Sequence, residues 1–256
     1  FILCDFGQYD SNDVFNQLAQ KGIFVRKFSN KLISNCLRIS SGTPDQTGKL
    51  LQVLDNIISW YKNNTMKQQR LSKKIRSTGE TEISIEINLD GKGSSKINSP
   101  IGMLNHMLDQ IARHGLVDIK ADIKGDLETG THHIIEDTAI VLGMCIDEAL
   151  GDRSGITRMG DKTCMLDEAL CHIAIDLSGR GYSVIDMGEE SSNEGEFSID
   201  MCRHFYESLS SNGRFGIHLK MLSGTNHHHI LESSFKTFSR ALKEAASYDP
   251  RRLDSI

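Results

Sequence analysis

The 256-residue chain reads as an α+β protein: a tandem repeat of two ββαβα units with sheets packed on helices, preceded by a small N-terminal α/β fragment. Three observations predict this. Strand-like alternation and helix-like periodicity recur in the same order in two halves of residues 79–256. The recurrence keeps nearly constant offsets of 88, 98 and 96 residues. A basic stretch with little apolar periodicity sets this region apart from residues 1–64.

Taken in order, the first part predicts a strand over Phe1–Phe6, a helix near Asn12–Gln20, strands around Ile23–Arg26 and Cys36–Ser40, and a helix from Asp45 to Tyr61. The chain opens on Phe1 and not Met, as a piece of a longer protein does. Between Tyr61 and Gly79, Lys62, Lys67, Arg70, Lys73, Lys74 and Arg76 occur without an acidic residue, and only Met66, Leu71 and Ile75 are apolar. A run like this is more often a solvated linker than a binding patch, so residues 65–78 are read as a linker. Glu80–Gly91 then alternates apolar and polar residues as a half-buried strand does, and Glu168–Gly179 repeats it at an offset of 88, with Glu80 superposed on Glu168. A helix follows in each half, with Leu104, Met107, Leu108 and Ile111 as one apolar stripe and Met201, Phe205 and Leu209 as the other. Each carries one histidine off its stripe, His106 and His204. Strands over Leu116–Ile123 and Phe215–Leu222 come next. Each half closes on His-His-x-x-Glu opening a long helix: His132, His133 and Glu136, then His228, His229 and Glu232. The repeats span about 79–151 and 155–247.

Composition narrows the function. Lys and Arg number 29 against 34 Asp and Glu, and the net charge of −5 argues against nucleic acid as the main partner. The longest apolar run, Ala139–Ile146, is far short of the ~20 residues a membrane span needs. Six cysteines without a Cys-x-x-Cys motif suit reduced thiols in a cytoplasmic protein.

Helical geometry sorts the histidines. Residues four apart share a helix face, while neighbours diverge by about 100°. His132 and Glu136 can therefore share one metal, and His133 must reach for another. By the same argument His228 and Glu232 share a metal and His229 points elsewhere. Two metals are implied, each with a His/Glu pair from one repeat and a single His from the other. The helix histidines raise each set to three His plus one Glu. Four such ligands leave two positions open on an octahedral ion, and nitrogen and oxygen donors without thiolate suit manganese better than structural zinc. Asp137 is expected to orient a ligand histidine through a hydrogen bond.

Four motifs carry a family resemblance: HMLDQIARHG (His106–Gly115), HHIIEDTA (His132–Ala139), DEAL with DLSGR (Asp167–Arg180) and HHILE (His228–Glu232). Over roughly residues 72–256 the chain resembles the imidazoleglycerol-phosphate dehydratases, with Gly130-Thr131 departing from an acidic pair usual in that family. The resemblance implies a lyase of histidine biosynthesis that converts D-erythro-imidazoleglycerol phosphate to imidazoleacetol phosphate. It implies two Mn ions, one on His106, His133, His228 and Glu232 and the other on His132, Glu136, His204 and His229. It also implies a 24-mer with sites at subunit interfaces, and Gln110, Arg158 and Arg180 on the substrate phosphate. Glu80 and Glu168 become the proton-moving carboxylates, and which is base and which acid stays open. Family members continue past the position of Ile256 with a Ser-x-Lys tail over the phosphate, so a chain ending there is expected to hold its metals but bind substrate more weakly.

The segment GIFVRKFSNKLISNCLRISSGTPDQTGKLLQVL, from Gly22 to Leu54, resembles the small C-terminal domain of class I/II aminotransferases, histidinol-phosphate aminotransferase above all. There the arginines matching Arg26 and Arg38 lie near the substrate's anionic end. The pyridoxal-phosphate lysine and the large domain have no counterpart here, so residues 1–64 are expected to be inactive alone, as one part of a pathway fusion. Two other readings fit the donor set: another dinuclear-metal enzyme such as a phosphoesterase, and a non-catalytic metal-binding assembly subunit. Phosphoesterase sites lean on bridging carboxylates, whereas these ligands are three parts histidine.

Overall fold

Alternation and amphipathic periodicity place the elements close to where they are expected, with one strand more in each repeat. The computed structural model describes residues 1–7, 9–28, 30, 33–65, 70–128, 130–188, 195–249 and 252, and the chain divides into two units, Phe1–Gln68 and Gln69–Ile256.

The first unit contains β1 (Ile2–Asp5), α1 (Ser11–Gln20), β2 (Arg26–Lys27), β3 (Cys36–Ile39) and α2 (Pro44–Thr65). Its antiparallel sheet has the order β1-β3-β2. Val14 and Leu18 recur four apart on α1 and are fully buried with Leu37 of β3, against Ile57 of α2. The Asp10 side chain caps α1 by accepting from the Asn12 amide, and the Tyr61 hydroxyl donates to Asp13 at 2.5 Å. Arg26 and Arg38 are direct cross-strand partners.

The second unit holds β4 (Leu71–Ser77), β5 (Thr81–Asn88), β6 (Ser95–Asn98), α3 (Gly102–Gly115), β7 (Asp118–Gly125) and α4 (His132–Leu150). The same order returns as β8 (Met159–Leu166), β9 (Ala169–Asp176), β10 (Tyr182–Asp186), α5 (Ile199–Gly213), β11 (Gly216–Ser223) and α6 (His227–Ala246). The sheets run β4-β5-β7-β6 and β8-β9-β11-β10, each with a single parallel pair, β6 with β7 and β10 with β11. Even the helix ends match: α3 and α5 stop at left-handed residues Leu116 (φ 53) and Arg214 (φ 52).

Strand β4 corrects the linker reading of residues 65–78. Leu71–Ser77 pairs with β5 along its length, and Lys74 Nζ and Ser72 Oγ both reach the Glu148 carboxylate on α4, at 2.6 and 2.5 Å. Its basic residues belong to a sheet edge, where charge discourages pairing with a further strand. Met66 and Lys67 of the same stretch lie outside the described residues.

Inward-facing Ile83, Ile85 and Ile87 of β5 and Cys171, Ile173 and Ile175 of β9 are buried against the helices. α4 packs on β4 and β5, and α6 packs on β8 and β9. The helices then pair across the repeats, α3 with α6 and α4 with α5. The second pair approaches very closely, because a Cβ on Gly143 would lie 2.7 Å from the Leu209 carbonyl oxygen and 2.8 Å from the Gly213 nitrogen. Among the described residues, no helix is long and apolar enough to cross a membrane.

Candidate functional site

Crossed helix pairing decides which side chains meet. α3 brings His106 beside the start of α6, where His106 Nε2 and His228 Nε2 each lie 2.9 Å from Glu232 Oε2. α5 brings His204 beside the start of α4, with His204 Nε2 3.4 Å from Glu136 Oε1 and His132 Nε2 3.6 Å from Glu136 Oε2. Within each group the ligand-type atoms lie within 4.8 Å of one another, close enough to surround one ion. His204 Nε2 is buried and has no hydrogen-bond partner among the described residues. Its contact with Glu136 Oε1, 3.4 Å away, falls short of a well-formed hydrogen bond, and nitrogen and carboxylate donors without thiolate suit a divalent ion of the manganese type.

Glu232 is further restrained by a residue that the sequence reading passed over. Lys236, one helical turn on, places Nζ 2.6 Å from Glu232 Oε1. Burial pushes the Glu232 carboxyl up, but Lys236, His106 and His228 outweigh it and hold it at about 2. The carboxylate is thus ionised, with one oxygen tied to Lys236 and the other facing the two imidazoles. The Glu-to-Lys spacing of four on a predicted helix was the available signal.

His133 and His229 join neither group. Each is the helical neighbour of a grouped histidine and so points to another side. His133 Nδ1 lies 2.5 Å from Glu80 Oε2, and His229 Nδ1 lies 2.7 Å from Glu168 Oε2. Glu168 is also gripped by its loop: Oε1 accepts from the Asn226 amide at 2.8 Å and the Thr225 amide at 3.2 Å. His229 and then these amides hold the Glu168 carboxyl at about 2, and Glu168 in turn pushes the His229 imidazole up. Asn226 caps α6 as well, its side chain accepting from the His229 amide. Asp137, expected on a ligand histidine, instead accepts from Arg76 Nε at 2.7 Å and from the Thr81 hydroxyl.

Of the expected phosphate contacts, Gln110 lies one helical turn after His106, whereas Arg158 and Arg180 lie at the other end of the second repeat. Gln110 is only 6% exposed, on the same helix as His106. Arg158 donates Nε and Nη2 to the two Asp176 oxygens at 2.8 and 3.3 Å, and its amide to the Ala245 carbonyl at 2.8 Å. Asp176 is eight residues from Glu168 along β9, roughly 26 Å at the rise of a strand. Ala245 is sixteen residues from His229 along α6, about 24 Å at the rise of a helix. Both rulers put Arg158 at the far end of the repeat from the Glu168 carboxylate of its own chain. Arg180 lines a cleft of about 680 Å³ at that same far end, with Met159, Asp176, Tyr182 and His218. Asp254-Ser255-Ile256, where the tail expectation begins, lie outside the described residues.

Comparison with known proteins gives a consistent result. The family model described as imidazoleglycerol-phosphate dehydratase matches residues 99–242. The chain is 45% identical over 177 residues to an imidazoleglycerol-phosphate dehydratase of Dehalococcoides mccartyi, covering 69% of this chain and 89% of the relative. It is 42% identical over 194 residues to the chloroplastic imidazoleglycerol-phosphate dehydratase 1 of Arabidopsis thaliana, covering 76% and 72%. Among solved structures, the Staphylococcus aureus imidazoleglycerol-phosphate dehydratase superposes with a TM-score of 0.63 at 31% identity, over 70% of this chain and 99% of that one. The Pyrococcus furiosus protein gives 0.62 at 32% identity, over 71% and 97%.

Proposed function

This chain belongs to the imidazoleglycerol-phosphate dehydratase family, and on that premise we propose that its two His/Glu groups each take one manganese ion and together serve the dehydration of D-erythro-imidazoleglycerol phosphate to imidazoleacetol phosphate. It is an enzyme, a dehydratase of histidine biosynthesis. The finer reading is carried by the two groups of histidine and carboxylate atoms built across the repeats, each close enough to surround one ion.

His106, His228 and Glu232 would hold one ion, and His132, Glu136 and His204 the other. His133 and His229 complete the first and second sets from neighbouring subunits, since each faces a glutamate within its own chain. When bound, the metals supply Lewis acidity toward the imidazole ring and a template that orients it. Glu80 and Glu168 stand at equivalent strand starts, each against an imidazole nitrogen, and exchange protons with the substrate side chain. Arg158 and Arg180, with Gln110, hold the phosphate, for which arginine gives paired charge-assisted hydrogen bonds. Because Arg158 lies roughly 25 Å from Glu168 of its own chain by the strand and helix rises, a complete site takes them from different copies. The working form is therefore a homo-oligomer, the 24-mer of the family resemblance. For residues 1–64 we propose descent from an aminotransferase small domain, in which Arg26 and Arg38, cross-strand partners on β2 and β3, would match that family's anion-facing arginines.

The test supplies manganese-loaded protein with imidazoleglycerol phosphate and follows imidazoleacetol phosphate. Product supports the reading. Phosphate release without it marks a phosphoesterase, and neither product marks a metal-binding assembly subunit. Glu168→Gln should keep both metals and lose about a hundredfold in turnover or more. Wild-type turnover in that variant would remove Glu168 from the chemistry.

A further inference from the structure

The two repeats support their glutamates by different means. In the second repeat the loop before α6 does it, through the amides of Thr225 and Asn226. In the first repeat the residue matching Asn226 is Gly130, and its amide is committed to the Leu127 carbonyl at 3.0 Å. That donor is not available to Glu80.

Another arrangement stands in its place. Asp137 lies one turn after His133, on the same face of α4. It is 7% exposed, and its carboxylate accepts from Arg76 Nε of β4 at 2.7 Å and from the Thr81 hydroxyl at the start of β5. Thr81 Oγ1 is 3.0 Å from Thr78 Oγ1, and Thr78 Oγ1 accepts from the amides of Thr81 at 3.0 Å and Glu80 at 3.3 Å. One buried carboxylate thus ties the β4–β5 turn carrying Glu80 to the helix face carrying His133, and these two meet at 2.5 Å.

The fold does not require this network, because the second repeat is built without it. At the offsets of the repeat, Cys164, Ala169 and Ser233 replace Arg76, Thr81 and Asp137. Among the described residues the Ser233 hydroxyl bonds within its own helix, to the Ile230 carbonyl at 3.1 Å. The network occurs where the loop amide is lost.

We infer that Asp137, acting with Arg76 and Thr81, is a positioning residue that sets Glu80 against His133 for the dehydration, in place of the Asn226 amide that helps set Glu168. This rests on the proposed role of Glu80 in proton transfer. Outer groups that orient reacting or ligand residues commonly change activity ten- to a hundredfold when removed, and small misplacements have similar effects.

The experiment measures kcat, KM and bound manganese for Thr81→Val, Thr81→Ser, Asp137→Asn, Glu80→Gln and the double variant Thr81→Val/Glu80→Gln. Thr81→Val and Asp137→Asn should lower kcat by about ten- to a hundredfold with KM within about twofold and metal content unchanged. Thr81→Ser, which keeps the hydroxyl, should stay near the wild type. On the Glu80→Gln background, Thr81→Val should have no further effect, which a purely structural role does not predict. Wild-type turnover in Glu80→Gln would overturn the reading of Glu80 and the inference with it. A slow Glu80→Gln together with an undiminished Thr81→Val, an additive double variant, or a loss of kcat that tracks loss of metal would overturn the inference alone.

Discussion

Replacing Gly143 with Ala adds one methyl group where α4 and α5 touch. The new carbon would lie 2.7 Å from the Leu209 carbonyl oxygen, 2.8 Å from the Gly213 nitrogen and 3.1 Å from the Asn212 carbonyl carbon. All three are backbone atoms, so no side chain can swing aside. Ordinary contact begins near 3.4 Å, and the helices must therefore part by about 0.7 Å or bend. Alanine recovers about 1 kcal/mol of helix propensity, while overpacking costs about 1–3 kcal/mol. A net loss of about 1 kcal/mol lowers the melting temperature by roughly 2–4 °C for a domain of this size. The effect on the site is lopsided. Glu136 and His132 sit on α4 two and three turns before Gly143, and His204 sits on α5, whereas His106, His228 and Glu232 sit on α3 and α6. A shift of about 0.7 Å exceeds the roughly 0.2 Å tolerance of metal–ligand distances. Calorimetric titration of manganese into stripped protein should show one site weakened about tenfold or more and the other unchanged. Wild-type affinity at both sites, or an equal loss at both, would refute the assignment of this contact to one group, and a raised melting temperature would refute the overpacking.

Two further outcomes follow from the geometry. His132→Ala and His228→Ala should each lose about one metal per subunit with far-ultraviolet circular dichroism preserved, and elemental analysis finding two metals in either variant would sink the pairing. Lys74 and then Ser72 hold the Glu148 carboxyl below its ordinary value. A depressed carboxylate stabilises the fold above its unfolded pKa, near 4.3, and loses that contribution as pH falls through its folded value. The melting-temperature gap between wild type and Glu148→Gln should therefore be present at neutral pH and close in acid; a gap independent of pH would contradict the link between β4 and α4.

The tandem architecture and the His-x-x-x-Glu pairs were legible because they rest on local periodicity, whereas the crossing of each helix histidine to the other repeat's pair joins residues far apart in the chain, and only the family resemblance implied it. Helices opening on His-His-x-x-Glu put residues four apart together, and the structure groups His132 with Glu136 and His228 with Glu232 accordingly. β4 and β8 were not legible. The most buried residue of β4 is Ser72, and the inward positions of β8 are Gly160, Lys162, Cys164 and Leu166, so neither shows the alternation of a half-buried strand. The contacts of Glu80 with His133 and Glu168 with His229 join residues more than fifty apart, and no spacing rule reaches that far. Motif matching also carries no information about which copy of the chain supplies a residue, so the distance between Arg158 and Glu168 emerges only in three dimensions.

The exchange of helix partners limits what a half-length ancestor could have been. One repeat holds a helix histidine and a His-x-x-x-Glu segment, yet in the fold these never serve the same group. A free half could assemble its ligands only by docking onto a second half, and a twofold pair would then create both groups at once. Duplication and fusion would make that encounter intramolecular, so that it no longer depends on concentration. Once joined, the two copies need not be alike at every position, and the repeats differ at Asp137 against Ser233, Lys236 against Ile140 and Gly130 against Asn226.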